Sequence, residues 1–192
     1  MTGEVEVKAR VEGGEELARR IERIGGKFVR EVTQEDLYFR HPFRDLKERD
    51  EALRLRREGK NYTLTFKGRR VGKGAKMREE LEIRVGDYEK TIKLLKRLEF
   101  EKAFIIRKRR KEFVLDGITI ALDSVKGLGE FVEIERMAVV EEGGRARLRR
   151  MEVFKTELFD MVDRLGIPRD RLITESYLEL LTSKSSSSKP LR

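Results

Sequence analysis

The chain has 192 residues and no cysteine. Without thiolates it can build neither a zinc finger nor a disulfide framework, and it has no cysteine nucleophile. A single histidine, His41, excludes histidine-rich metal sites and argues against a serine–histidine triad. Side-chain amides are nearly absent, with Gln34 and Asn61 the sole examples. Few amides together with abundant Glu, Lys and Arg resemble the composition of hyperthermophile proteins. No run approaches the roughly 18 apolar residues of a membrane span, and no hydrophobic segment follows the N-terminus. A transmembrane or secreted, disulfide-framed protein is therefore not expected, and the cytoplasm is the expected compartment.

What the chain has in excess is charge. Charged residues make up 42% of it, against about 25% in an average globular chain. The 45 Lys and Arg outnumber the 36 Asp and Glu, for a net charge of +9. That balance suits a polyanionic partner such as nucleic acid, phosphate or nucleotide, although most of these side chains simply keep a surface soluble. The length fits about one domain, placed over residues 1–182. Residues 183–192 are rich in Ser and Lys and are expected to form a disordered tail.

Periodicity divides the chain into strands and a few helices. Met1 to Glu12 alternates apolar Val5, Val7, Ala9 and Val11 with charged Glu4, Glu6, Lys8 and Arg10. Glu15 to Ile24 is an amphipathic helix closed by Gly25-Gly26. Phe28 to Phe39 is extended and stops before Pro42. Ala52 to Arg57 and Tyr62 to Lys67 form a hairpin, Gly68 to Gly74 a basic loop, Arg78 to Val85 another strand, and Tyr88 to Leu98 a helix. Phe100 to Leu115 and Ile118 to Asp123 are strands joined by the Asp116-Gly117 turn. Phe131 to Met137 is a further strand, Arg145 to Leu165 the longest helix, and Thr174 to Leu181 a short one. The order suggests one unit used twice, the second opening at Phe100. Many alternating strands with few helices favour a single antiparallel barrel.

The strands share one feature. Each places like charges two residues apart, on one face: Glu4 and Glu6, Arg54 and Arg56, Glu80 and Glu82, Lys108 and Arg110, Glu133 and Glu135. Carboxylates that close repel unless a cation lies between them, and paired cations need an anion. An outer ladder of Glu–Arg pairs would satisfy this spacing. So would an interior that binds metal and phosphate together, if the apolar residues face outward under helices. On that reading Val5, Val7, Leu53, Leu55, Leu81, Ile83, Val132 and Ile134 point outward. Hard oxygen ligands suit Mg²⁺, Mn²⁺ or Ca²⁺. Arg109 has the opposite parity to Lys108 and Arg110 and reads as outward. Tyr38, Phe39 and Phe43 could stack on adenine but read better as core, and His41 reads as a turn residue near the mouth.

Glu4-Val5-Glu6-Val7-Lys8 resembles the E-x-E-x-K signature of the CYTH, or triphosphate tunnel, superfamily. Further segments follow in the same order: Ala52-Leu53-Arg54-Leu55-Arg56, Leu64-Thr65-Phe66-Lys67-Gly68, Arg78-Glu79-Glu80-Leu81-Glu82, Lys108-Arg109-Arg110, Leu122-Asp123-Ser124-Val125, and Ser176-Tyr177. Gly127-Leu128-Gly129-Glu130-Phe131-Val132-Glu133-Ile134-Glu135 is most similar to the class IV adenylyl cyclase branch. The resemblance implies an α+β fold, an eight-stranded antiparallel β-barrel flanked by helices, whose tunnel holds a triphosphate and Mg²⁺ or Mn²⁺. It implies Glu4, Glu6, Asp123, Glu133 and Glu135 as metal ligands, with Glu80 and Glu82 as further tunnel carboxylates. Lys8, Arg54, Arg56, Lys67, Arg78, Lys108 and Arg110 become phosphate contacts, with Lys76 and Arg10 as weaker candidates. Glu4, Glu6, Lys8 and Glu135 would carry the catalysis.

The activity so implied is a phosphorus–oxygen lyase that converts ATP to cyclic AMP and pyrophosphate. A triphosphatase acting on inorganic triphosphate, thiamine triphosphate or a nucleotide would use the same charges, and a non-catalytic nucleotide- or polyphosphate-binding module is the third alternative. Nucleic acid is a poorer partner, because acids and bases alternate along the strands instead of segregating a basic face. A homodimer is left open, and no membrane partner is expected.

Overall fold

The structure is a computed structural model and describes residues 2–70, 76–139 and 145–187. Period-two alternation becomes long strands: β1 (Thr2–Val11), β2 (Lys27–Arg40), β3 (Ala52–Glu58), β4 (Asn61–Lys67), β5 (Lys76–Val85), β6 (Glu101–Leu115), β7 (Ile118–Val125) and β8 (Gly129–Val139). They form one antiparallel run in the order β5-β4-β3-β2-β6-β7-β8-β1. β1 also pairs with β5, from Thr2 opposite Glu80 to Glu6 opposite Lys76, which joins the two ends of the run. Further along the same edge of β1, the two-residue strand β9 (Leu172–Ile173) takes over opposite Lys8 and Ala9. The ring is thus closed by β5 over only part of its height.

The helices cover this ring because its outer face is the apolar one. Helix α1 (Gly14–Arg23) and helix α3 (Arg145–Arg164) bury Leu17, Ile21, Leu158, Met161 and Val162 against Val5, Val7, Val132 and Ile134. Helix α2 (Tyr88–Arg97) starts where the Asp87 carboxylate accepts the Lys90 N–H at 2.9 Å, an ordinary N-cap. Its Tyr88, Ile92 and Leu95 pack on Leu37, Phe39, Leu53 and Leu55. Helix α4 (Tyr177–Ser187) sets Tyr177 against Ile106, Val125, Leu128 and Phe131. The chain turns back sharply after α1 at Gly26, where a Cβ would lie 2.4 Å from Ile21 Cγ2 and 2.8 Å from Ile21 O. Two of the hydrophobic clusters therefore lie outside the ring, while the third, around Tyr177, has the inward parity of Ile106, Val125 and Phe131 and fills part of the interior beside the polar groups.

Three expectations change. Leu81 and Ile83 do face outward but are 53% and 59% exposed, because no described helix covers β5. The serine-rich tail is helical through Ser187. Leu178, Leu180 and Leu181 anchor α4 in the cluster around Tyr177, and Lys184 Nζ donates to the Gly127 carbonyl at 3.0 Å. Residues 188–192 and 71–75, the latter within the expected basic loop, lie outside the described residues. The internal repeat opens its second unit at β5, not at Phe100. β1-α1-β2-β3-β4 and β5-α2-β6-β7-β8 have the same element order, and exchanging them preserves the pairings of the ring, with β2–β6 and β1–β5 mapped onto themselves. The repeat carries a sequence trace, since Glu80-Leu81-Glu82-Ile83-Arg84 repeats the acid-x-acid-x-base pattern of Glu4 to Lys8.

Burial predicts which apolar residues hold the fold. Leu55 is fully buried, and Leu55→Ala should cost about 2–5 kcal/mol by the usual cavity penalty. Leu81→Ala should cost no more than about 0.5 kcal/mol, as at ordinary exposed sites. Urea unfolding of the two variants measures the difference.

Candidate functional site: a charged tunnel

The inward parity of the strands gathers their charges around a cavity of about 950 Å³. Glu6, Lys8, Asp36, Arg54, Arg56, Lys67, Glu80, Glu82, Lys108, Arg110, Glu133 and Glu135 all line it. Register explains the meeting: Glu6 lies opposite Glu135 and Lys8 opposite Glu133 across β1 and β8, while Arg56 lies opposite Asp36 across β3 and β2. Arg109 points outward and pairs with Glu31 at 3.3 Å. Arg10 leaves the cavity and stacks 5.0 Å from the Phe131 ring. The side chains of Glu4, Lys76 and Arg78 lie outside the described residues; on the backbone, Glu4 is paired with Met137 and Arg78.

Two buried carboxylates organise the floor. Asp123 accepts from Lys108 Nζ at 2.8 Å, from Arg110 Nε and Nη2 at 2.7 and 2.6 Å, and from the Tyr177 hydroxyl at 2.9 Å. Glu133 accepts from Arg110 and pairs with Lys8 Nζ at 2.9 Å. On the opposite wall Asp36 takes a two-pronged bond from Arg56 at 2.6 and 2.7 Å. Arg54 donates to Thr65 Oγ1 at 3.1 Å, and the Thr65 hydroxyl in turn donates to Glu82 at 3.1 Å. Lys67 pairs with Glu80 at 2.5 Å. At one end of the cavity Arg30 bridges Glu58 and Glu112, and Gln34 donates to Glu58 at 2.8 Å.

The electrostatics follow from burial and from these neighbours. Burial alone would push the carboxyls of Asp36, Asp123 and Glu133 up. The cations beside them outweigh it and hold all three below the usual carboxylate range. Burial would likewise lower Lys8, but Glu133 and Glu6 reverse the sign and raise it. Lys108 goes the other way: burial, reinforced by the neighbouring Arg110 charge, lowers it in spite of Asp123. Four buried cations, Lys8, Arg54, Lys108 and Arg110, thus face three buried carboxylates, Asp36, Asp123 and Glu133, and Arg56 adds a further partly buried charge. Arg54 Nε is buried with no hydrogen-bond partner. Glu6, Glu80, Glu82 and Glu135 balance the charge of the lining as a whole, so the opening for an anion is this unsatisfied donor, which is costly to leave buried without an acceptor.

Glu6 and Glu135 differ from the other acids. Among the described residues Glu135 makes no hydrogen bond or ion pair, and Glu6 pairs with Lys8 at 3.7 Å. Two carboxylates in direct register, not consumed by hydrogen bonds, suit a hard divalent cation. Among the described residues no three acidic or histidine side chains gather into a ready cage. Asp36, Arg84, Gln34 and Thr65 belong to the site and were not singled out from the sequence. For Arg84 the repeated acid-x-acid-x-base pattern is the signal that could have found it.

Residues 3–167 match the CYTH domain family. The chain belongs to the CYTH family. This CYTH domain is 36% identical to a Methanocaldococcus jannaschii protein named "Putative adenylate cyclase MJ0240", over 92% of this chain and 97% of that one. Its fold superposes on the PH1819 protein of Pyrococcus horikoshii OT3 with a TM-score of 0.82 at 34% identity, covering 94% and 99% of the two chains. HpAC1 of Hippeastrum, whose name joins adenylyl cyclase to a dominant triphosphatase activity, superposes with a TM-score of 0.67 at 20% identity, over 99% and 98%. That last likeness shows the fold alone. No helix among the described residues of this CYTH domain is long and apolar enough to cross a membrane.

Asp123 offers the sharpest test of the network. Asp123→Asn leaves Lys108 and Arg110 buried without their shared carboxylate, and should cost about 3–5 kcal/mol, the scale of a broken buried ion pair. Denaturant unfolding at neutral pH measures it, with Arg109→Ala on the outer face expected to change little.

Proposed function

We propose that this chain is a triphosphate-processing enzyme that lays the phosphate chain along its tunnel and, given ATP, forms cyclic AMP and pyrophosphate. The observation that carries the reading is the gathering of Lys8, Arg54, Arg56, Lys108 and Arg110 inside one cavity open to ligand. Arg54 and Arg56 grip phosphate oxygens with planar forks, and Lys8, Lys67, Lys108 and Arg110 add charge along the chain of phosphates. Arg78 joins them by resemblance. Asp123 orients Lys108 and Arg110, Glu133 orients Lys8 and Arg110, and Asp36 orients Arg56, so that the cations are placed before substrate arrives.

Glu6 and Glu135, with Glu4 by resemblance, would hold Mg²⁺ or Mn²⁺. Such an ion polarises the phosphoryl group and neutralises charge on the departing phosphates. In cyclisation the ribose 3′-oxygen bonds to the α-phosphorus, the bond from that phosphorus to the bridging oxygen breaks, the hydroxyl proton passes to solvent, and pyrophosphate leaves. His41 lines the cavity, but its Nδ1 already accepts the Phe43 N–H at 3.2 Å and its ring packs 4.8 Å from that of Phe100, so the proton is assigned to solvent. Alkaline pH should therefore speed the reaction by favouring the deprotonated hydroxyl. Likeness to a relative named for adenylate cyclase supports cyclisation. Hydrolysis is the second reading, supported by the naming of HpAC1 and by tunnel charges that serve either reaction.

Chromatography of the products from ATP with Mn²⁺ or Mg²⁺, assayed hot and at alkaline pH, separates the readings. Cyclic AMP with pyrophosphate is expected. Orthophosphate with ADP, and no cyclic product, would assign a triphosphatase, and tight binding without turnover a non-catalytic module.

Glu135→Gln should abolish metal-dependent turnover while leaving metal-free stability equal or higher, since it relieves the repulsion with Glu6. Calorimetric unfolding of the metal-free variant checks this, and a large loss of stability would make Glu135 a structural ion-pair partner.

A further inference from the structure

Of the three aromatic residues from the β2 region that read as candidates for a base, Phe39 is buried in the core under α2. Phe43 is 81% exposed and does not line the cavity. Phe39 still borders the cavity, Tyr38 lines it with inward parity, and so does Phe104, on which no sequence signal falls. The two are direct partners across β2 and β6, so their side chains leave the sheet side by side on the tunnel face. Tyr38 packs against the cluster of Ile106, Phe131, Tyr177 and Leu178 inside the ring. Phe104 is 40% exposed, an apolar ring open to a cavity whose other inward groups are mostly charged. On its other side Tyr38 is the register partner of Arg54, whose Nε is the buried donor without a partner.

An apolar surface made of two inward aromatic side chains thus stands next to Arg54. Inorganic triphosphate has nothing to cover that surface. A ligand with a planar ring joined to a polyphosphate covers the ring and reaches Arg54 at once. We propose that Tyr38 and Phe104 form the platform for the base of a nucleoside triphosphate, and that they make such a nucleotide, instead of inorganic triphosphate, the preferred substrate. The proposal rests on the triphosphate-tunnel reading above and adds to it the end of the tunnel at which the nucleoside sits. The platform holds a base by stacking, which any base can satisfy.

Calorimetric titration of ATP and of inorganic triphosphate into wild type, Phe104→Ala and Phe104→Trp tests it. Wild type should bind both ligands. Phe104→Ala should weaken ATP by at least tenfold more than it weakens inorganic triphosphate, the scale on which loss of a stacking ring acts. Phe104→Trp should keep ATP affinity. Because the chain has no tryptophan of its own, the emission of the single indole should change with ATP and not with inorganic triphosphate. Equal losses for the two ligands in Phe104→Ala, or equal responses of the indole to both, would overturn the platform while leaving the tunnel reading intact. Failure of wild type to bind either ligand would instead remove the tunnel reading, and the platform with it.

Discussion

The constraint on which the structure depends is the cost of burying unpaired charge. Two apolar clusters outside the ring hold helices α1, α2 and α3 in place, so alternation forces the opposite parity of each strand inward. Most of those inward residues are charged, and the buried ones are tolerable because they are set against charges of opposite sign. Asp123 satisfies two cations and a tyrosine hydroxyl, Glu133 reaches two cations, and Asp36 locks Arg56. Remove one carboxylate and several cations lose their compensation together, because the groups share atoms.

The same network explains why the site is organised before a ligand arrives. The buried carboxyls are held below their ordinary range by adjacent cations, so they remain ionised at neutral pH and keep the cations oriented. Lys8 and Lys108 show how finely neighbours decide the outcome: both are buried, yet flanking acids raise Lys8 while Arg110 helps to lower Lys108. Glu6 and Glu135 stand apart from this mutual neutralisation. One face of the tunnel is therefore satisfied internally, and another keeps charge available for what binds.

Much of this was legible in the sequence, for a physical reason. Like charges two residues apart betray a shared face, and apolar partners such as Val5, Val7, Leu53 and Leu55 betray the core behind it. The resemblance carried by Glu4 to Lys8 and by Gly127 to Glu135 supplied the barrel. Parity does not reveal which strand lies beside which, so the partnership of Asp36 with Arg56 and the pairing of β1 with β5 needed the structure. Phe104 was hidden because Ala103-Phe104-Ile105-Ile106 is apolar on both faces and gives no alternation to read. Leu81 and Ile83 misled in the opposite sense: alternation gave their direction but not the absence of a helix above them. The extent of α4 was obscured by serine, which marks low complexity but does not prevent a helix once its leucines are packed.

The tunnel's cations are arranged for a chain of phosphates, and this is the proposition on which the function rests. It is tested most directly by thermal unfolding of the metal-free protein with added inorganic phosphate, pyrophosphate or triphosphate, each at the same concentration and ionic strength. The unfolding temperature should rise with the number of phosphates, since each added group engages further cations along the tunnel. An unfolding temperature unmoved by triphosphate, or moved equally by all three anions, would contradict it.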